Sequence, residues 1–175
     1  MRKNIVFLKK EVLKELIKII VIVVAVKIFI TYCLPLFGIQ DITVIGSESM
    51  IHGNTWKIKF KTVFNNTFPK HFPFKDGLYP GDIVVVIKVG DPCIDIKKYD
   101  VIQFEVNRNT RIIHRVIKRI YLNNNTCYFA TQGDNNIGSL PWEVKIEKDK
   151  IRGKVVLRIP VIGYPRYLIY KIFGI

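Results

Sequence analysis

Between residues 19 and 37 only Lys27, Thr31 and Pro35 stand among the three hard interruptions of an otherwise apolar run. A stretch of this length just meets the roughly 20 residues needed to cross a bilayer. It has no polar face to turn toward water, so any fold must place it in lipid or inside protein. Lys27 costs about 2.5–3.5 kcal/mol at a bilayer centre, while each Ile, Val, Leu or Phe returns roughly 0.3–0.6. The many such residues outweigh it, and its ammonium is expected to snorkel toward a head-group region.

Ahead of this run stand Arg2, Lys3, Lys9, Lys10, Lys14 and Lys18 against Glu11 and Glu15, and after it no basic residue occurs until Lys57. The asymmetry places residues 1–18 in the cytoplasm and the rest of the chain outside. The run exceeds the usual 7–15-residue core of a cleavable signal and no clean small-x-small site follows it, so a retained signal-anchor at the cell membrane is expected. The chain has 175 residues and a formal net charge of +14. That length fits the anchor plus one domain, residues 38–175. Because the lysines are scattered, the charge points to anionic lipid head groups rather than to nucleic acid.

Past the anchor the pattern changes to short β-rich runs bounded by turn residues, among them Asp82-Ile-Val-Val-Val-Ile-Lys88 and Val101-Ile-Gln-Phe-Glu-Val106. A mainly β domain follows. Residues 54–77 carry aromatics and lysines without a stable period and read as an inserted loop. Residues 164–175 are apolar but too short to span, and either pack on the domain or dip into the interface. Cys93 and Cys127 would pair in an oxidising compartment; the plainer expectation is two separate buried thiols. Asn65 and Asn124 each begin an N-x-T sequon.

Only three serines occur, and two of them form Gly46-Ser-Glu-Ser-Met50 just beyond the anchor. A serine hydroxyl is a weak nucleophile that needs a base, and a histidine base needs an acceptor to fix its tautomer. Of His52, His71 and His114, the last lies mid-strand in Ile112-Ile-His-Arg-Val116. In a hairpin turning at Asn124, positions 114 and 134 are equidistant from the turn, which sets Asp134 opposite His114. A bulge would undo this, since a one-residue slip reverses the face. Lys118, four residues beyond His114, is the rival base and is expected to point to water.

Ser47-x-Ser49-Met50, Gly81-Asp-Ile-Val84, Asp100-Val-Ile-x-Phe104, Ile113-His-Arg-Val116 and Gly133-Asp-Asn-Asn136 occur in the order found in type I signal peptidases. The chain resembles the archaeal and endoplasmic-reticulum type over about residues 15 to 165. The resemblance implies a coiled β-fold shared with LexA-like proteases and a Ser/His endopeptidase that removes signal peptides at the outer membrane face, without metal or organic cofactor. It implies Ser49 as nucleophile, Ser47 as oxyanion support, His114 in the slot that holds Lys in bacterial relatives, and Asp134 as the orienting acid. Expected substrates are preproteins with small residues at the first and third positions before the cut, and secretion-machinery subunits are expected partners. Three departures stand out: Glu48 between the serines, Ile51-His52-Gly53 after Met50, and Leu140 where a second Asp is common, leaving Asp149 as a weak substitute. A catalytically reduced scaffold subunit and a LexA-like self-cleaving protein are the other readings; the apolar N-terminus argues against the second.

The topology has a direct check. Protease added outside intact cells is expected to reach residues 54–77 while residues 2–18 stay protected; the reverse pattern of fragments would overturn the orientation.

Overall fold

The computed structural model describes residues 2–108, 110–123 and 126–173. The chain divides into two units, Met1–Gly38 and Ile39–Ile175. In the first, helix α1 (Arg2–Ile28) continues through a wider turn at Phe29–Cys33 and a tighter one at Leu34–Phe37. Pro35 lacks an N–H and cannot continue the regular ladder, which accounts for the change of pitch there. Within this stretch Glu11–Phe37 is long and apolar enough to cross a membrane, its most apolar 18 residues having a mean hydropathy of 2.6.

The second unit is mainly β. Among the described residues seven antiparallel strands, β1 (Ile39–Val44), β2 (Ile83–Ile87), β3 (Val101–Asn107), β4 (Thr110–Asn123), β5 (Thr126–Gln132), β6 (Ile146–Glu147) and β7 (Ile151–Ile159), form one sheet in the order β1-β2-β7-β3-β4-β5-β6. Strand β4 has two partners in succession. Its first part, Thr110 to Arg115, pairs with β3, and from Arg115 to Asn123 it pairs with β5. Two apolar clusters lie within the unit. One includes Ile102, Phe104, Val116, Phe129 and Ile146; the other includes Ile45, Met50, Leu78, Val84 and Val155.

Residues 54–77 are not the unstructured excursion expected from their composition. Asn54–Phe64 form helix α2, and Trp56 gathers Phe60, Phe64, Phe68 and Phe72 around it at centroid distances of 5.7–6.3 Å. The aromatic spacing at 56, 60 and 64 is helical, and burying those rings offsets the helix's low apolar content. Asn65 and Asn66 turn out of the helix with positive φ, so the exposed 65–67 turn is the accessible point of this segment. The sequon at Asn65 falls in that turn; Asn124 lies outside the described residues.

Cys93 and Cys127 form a disulfide, in place of the two separate thiols expected from sequence. Cys93 sits in the one-turn helix α3 (Pro92–Asp95), where Asp91 accepts its N–H, and Cys127 sits on β5. Register between distant segments, which spacing cannot supply, decides this pairing. Replacing both cysteines by serine is expected to cost about 2–4 kcal/mol of unfolding free energy, read as a lower denaturation midpoint that reductant no longer shifts.

Candidate active site

Ser49 stands at the rim of a cleft of about 270 Å³ lined by Ile45, Ser47, Gln103, Ile113, His114 and Leu140, among others. Its position follows from its neighbour. Met50 is 1% exposed in the second apolar cluster, and its carbonyl accepts the Leu78 N–H at 3.0 Å. Burying a side chain of that size contributes about 1.5–3 kcal/mol, and it leaves Ser49 half-buried at the edge of the core.

His114 comes from β4. Its Nε2 lies 2.9 Å from Ser49 Oγ, and its Nδ1 is hydrogen-bonded to Glu143 Oε1. A carboxylate can only accept, so Nδ1 carries the proton and Nε2 is free to accept from the serine hydroxyl. With the Ser49 proton directed at His114, Ser47 Oγ, 3.1 Å from Ser49 Oγ, is the donor of that pair. The arrangement is a nucleophile, a base and an acid in series, beside a second hydroxyl donor.

Glu143 replaces Asp134 as the acid that fixes His114. It ends a short helical turn, Pro141–Glu143, and is fully buried. Besides His114, its carboxylate accepts from Thr131 Oγ1 at 3.1 Å and from the Leu140 N–H at 2.8 Å. Burial opposes its ionisation, but the bonds from His114, Leu140 and Thr131 together hold its carboxyl below the ordinary range. Asp149, the substitute weighed from sequence, is exposed in the Lys148–Lys150 turn.

The expected pairing of Asp134 with His114 is broken by a bulge. From Lys118 to Tyr121 the β4–β5 ladder has the expected register, but it shifts between Val116 and Lys118, and beyond that point Arg115 faces Gln132. One extra residue reverses the facing side chains. Asp134 is paired with Arg115, whose Nε and Nη2 donate to its two oxygens at 2.8 and 2.7 Å. Lys118 is exposed. The turn expected at Asn124 lies outside the described residues.

Asp134 has a different place in the site. His52 Nε2 donates to its Oδ2 at 3.0 Å, and the His52 ring stacks on Trp56 at 4.0 Å. Burial opposes ionisation of Asp134 as well, and the hydrogen bonds and charges of Arg115 and His52 outweigh it, so its pKa is lowered. The 133–136 loop that carries it supports the nucleophile directly. The Asn135 N–H donates to the Ser49 carbonyl at 2.8 Å, and a Cβ at position 133 would lie 2.7 Å from that oxygen, so glycine is needed for the close approach.

Helix α2 braces the same loop. Lys59 Nζ donates to the carbonyls of Asn136, Asp134 and Gly133 at 2.8, 3.0 and 3.4 Å. Its pKa is lowered, chiefly by burial, against the pull of Asp134. His71 lies apart, exposed and bonded to Asp100 at 2.8 Å. Glu48 is exposed, and its carbonyl accepts from Asn135 Nδ2 at 3.3 Å.

Of the residues expected from the sequence, Ser49, Ser47 and His114 are brought together, while Asp134 is not joined to His114; Glu143, Arg115, Lys59 and the contact of His52 had not been expected. The one cue for Glu143 was an acid in a proline-initiated turn, Leu140-Pro-Trp-Glu143, with no basic neighbour before Lys145.

No family model matches the chain. An uncharacterized protein of Methanocaldococcus jannaschii is 33% identical over 105 residues, which cover 57% of this chain and 50% of that protein. The chain thus matches about half the length of this relative.

The two carboxylates should separate by experiment. Glu143→Gln is expected to slow labelling of Ser49 by a serine-directed phosphonylating probe by up to about 10⁴-fold, the scale seen when a triad acid is neutralised. Asp134→Ala is expected to lower stability by about 3–5 kcal/mol, because it strands a buried guanidinium. Both carboxyls have lowered native pKa values, so their stabilisation is complete above the ordinary carboxylate value of about 4 and is lost as pH falls below it. Asp134→Asn should flatten that acid limb in pH-dependent unfolding; an unchanged limb would contradict the assignment.

Proposed function

We propose that this chain is a membrane-anchored serine endopeptidase that cleaves signal peptides from exported preproteins at the outer face of the membrane. The observation that carries the reading is the series Ser49 Oγ, His114 Nε2 and Nδ1, and Glu143, with Ser49 and His114 at a cleft. Ser49 attacks the scissile carbonyl as His114 Nε2 takes its proton. Glu143 stabilises the imidazolium, and Ser47 donates to the developing oxyanion. His114 then passes the proton to the leaving amine, and water, activated by the same base, releases the acyl group.

Two features favour a peptide in extended form. Among the described residues β1 pairs only with β2, and β4 is unpaired on its β5 side before Arg115. Asp41 on β1 accepts from Gln103 Nε2 on β3 at 2.8 Å and faces Arg111 on β4 at 3.4 Å. The two free strand edges therefore flank the cleft, and a substrate segment entering as a strand finds main-chain partners there. The lining of Val44, Ile45, Ile112 and Ile113 suits apolar side chains next to the cut; that they be small is what the sequence resemblance implies. The α1 segment, apolar enough to span a membrane, supports a substrate that is itself membrane-inserted. Glu48 points to water, so it gives no support to a catalytically reduced subunit.

The full chain in proteoliposomes, given a preprotein with small residues at the first and third positions before the cut, tests this. Cleavage at that point is expected to vanish in Ser49→Ala and to fall about 10²–10³-fold in Ser47→Ala, the cost of one oxyanion donor. Undiminished cleavage by Ser49→Ala would remove the proposed nucleophile, and cleavage of loosely structured proteins without regard to the signal peptide would remove the proposed substrate.

A further inference from the structure

Helix α4 (Tyr164–Phe173) carries its apolar stripe on the outside. Its first residues are fixed to the domain. The carbonyl of Gly81 and the side chain of Val44 lie where a Cβ on Gly163 would stand, at 2.8 and 2.9 Å, and a Cβ on Gly81 would meet the Tyr164 ring at 2.8 Å. Asp82 Oδ1 accepts the Val161 N–H at 3.2 Å just ahead of the helix. Tyr164, itself 45% exposed, and Tyr167 are neighbours, with centroids 5.7 Å apart. Exposed apolar residues recur at helical spacing along α4, Leu168 and Ile169, then Ile172 and Phe173, with Val161 and Ile162 in the turn ahead of it, each 40–69% exposed. An ordinary surface helix has the reverse arrangement.

Charge identifies what would cover the stripe. From Ile151 to Phe173 the sequence holds Arg152, Lys154, Arg158, Arg166 and Lys171 and no carboxylate. Arg166 and Lys171 are exposed on α4 itself. A protein groove would cover an apolar stripe equally well; Arg152, Lys154 and Arg158 are paired with Glu105, Asp100 and Asp82, but Arg166 and Lys171, on a helix that holds no carboxylate, fit a layer of anionic head groups over acyl chains. The helix spans about 15 Å at 1.5 Å per residue, too short to cross a bilayer and long enough to lie in its surface. The same chain carries a segment apolar enough to span a membrane, which would hold this domain at a lipid surface.

We infer that α4 is an interfacial membrane-docking helix, its apolar stripe seated at the head-group boundary of an anionic bilayer. Because Gly163 packs on Val44, a residue of the cleft wall, docking would hold that wall at the membrane surface. The inference stands independently of the proposed protease activity.

The test uses the full chain with Cys33→Ser, reconstituted in phosphatidylcholine–phosphatidylglycerol vesicles and carrying one environment-sensitive fluorophore at Ile169→Cys, at Ile172→Cys, or at the exposed Asp149→Cys as reference. Labels at 169 and 172 are expected to be quenched by brominated acyl chains and shielded from aqueous iodide, relative to 149. Arg166→Gln and Lys171→Gln should each lower the docked-to-undocked ratio about fivefold, the equivalent of one basic residue at an anionic surface. Iodide reaching 169 as readily as 149 would overturn the inference. So would shielding from both quenchers, which would mean that protein, a second copy included, covers the stripe.

Discussion

The buried ion pair of Arg115 and Asp134 ties the site together. Arg115 is 2% exposed and spends its donors on three segments: both Asp134 oxygens, the Pro73 carbonyl at 2.8 Å and the Tyr99 carbonyl at 2.9 Å, while its guanidinium lies 3.9 Å from the centre of the Phe72 ring. Strand β4, the segment after α2, the turn before β3 and the 133–136 loop are thereby fixed to one planar group. Such a pair is costly to desolvate and is retained only where its geometry is good and every remaining donor is met. Here the return is positional, since the 133–136 loop in turn holds the carbonyl of Ser49.

Around this pair the polar groups form two systems that share strand β4. His114 and Arg115 are adjacent in sequence and lead to opposite purposes. His114 links Ser49 at Nε2 to Glu143 at Nδ1, so the acid holds the ring that faces the serine hydroxyl. Arg115 leads to Asp134 and His52, and His52 leads on to Trp56 and the aromatic cluster of α2. Alternation along a strand separates the two, so that a proton moving on one side need not disturb the ion pair on the other. Helix α2 belongs to the second system through Lys59, whose three carbonyl acceptors lie on the loop that Asp134 occupies.

Much of the chemistry was legible in the chain. The apolar run 19–37, the paired serines and the histidine between β-branched residues each have a local physical signature: length, rarity of serine, and alternation. The mainly β character of the domain came from the same patterns. The α2 segment was missed because its helical aromatic spacing is short and its stability comes from rings contributed by Phe68 and Phe72 beyond the helix. The disulfide was only the lesser of two expectations because Cys93 and Cys127 are 34 residues apart and meet only when α3 packs beside β5.

The sequence by itself determined the apolar segment long enough to cross a membrane, the β-rich domain and the candidate pair Ser49 and His114, because these depend on composition and period within a few residues. Tertiary structure alone decided which acid serves His114. A single bulge between Val116 and Lys118 turned Asp134 to Arg115, and a proline-started turn delivered Glu143 from 29 residues away. A bulge adds one residue to one strand and leaves no mark in hydrophobic pattern, yet it reverses every facing pair beyond it.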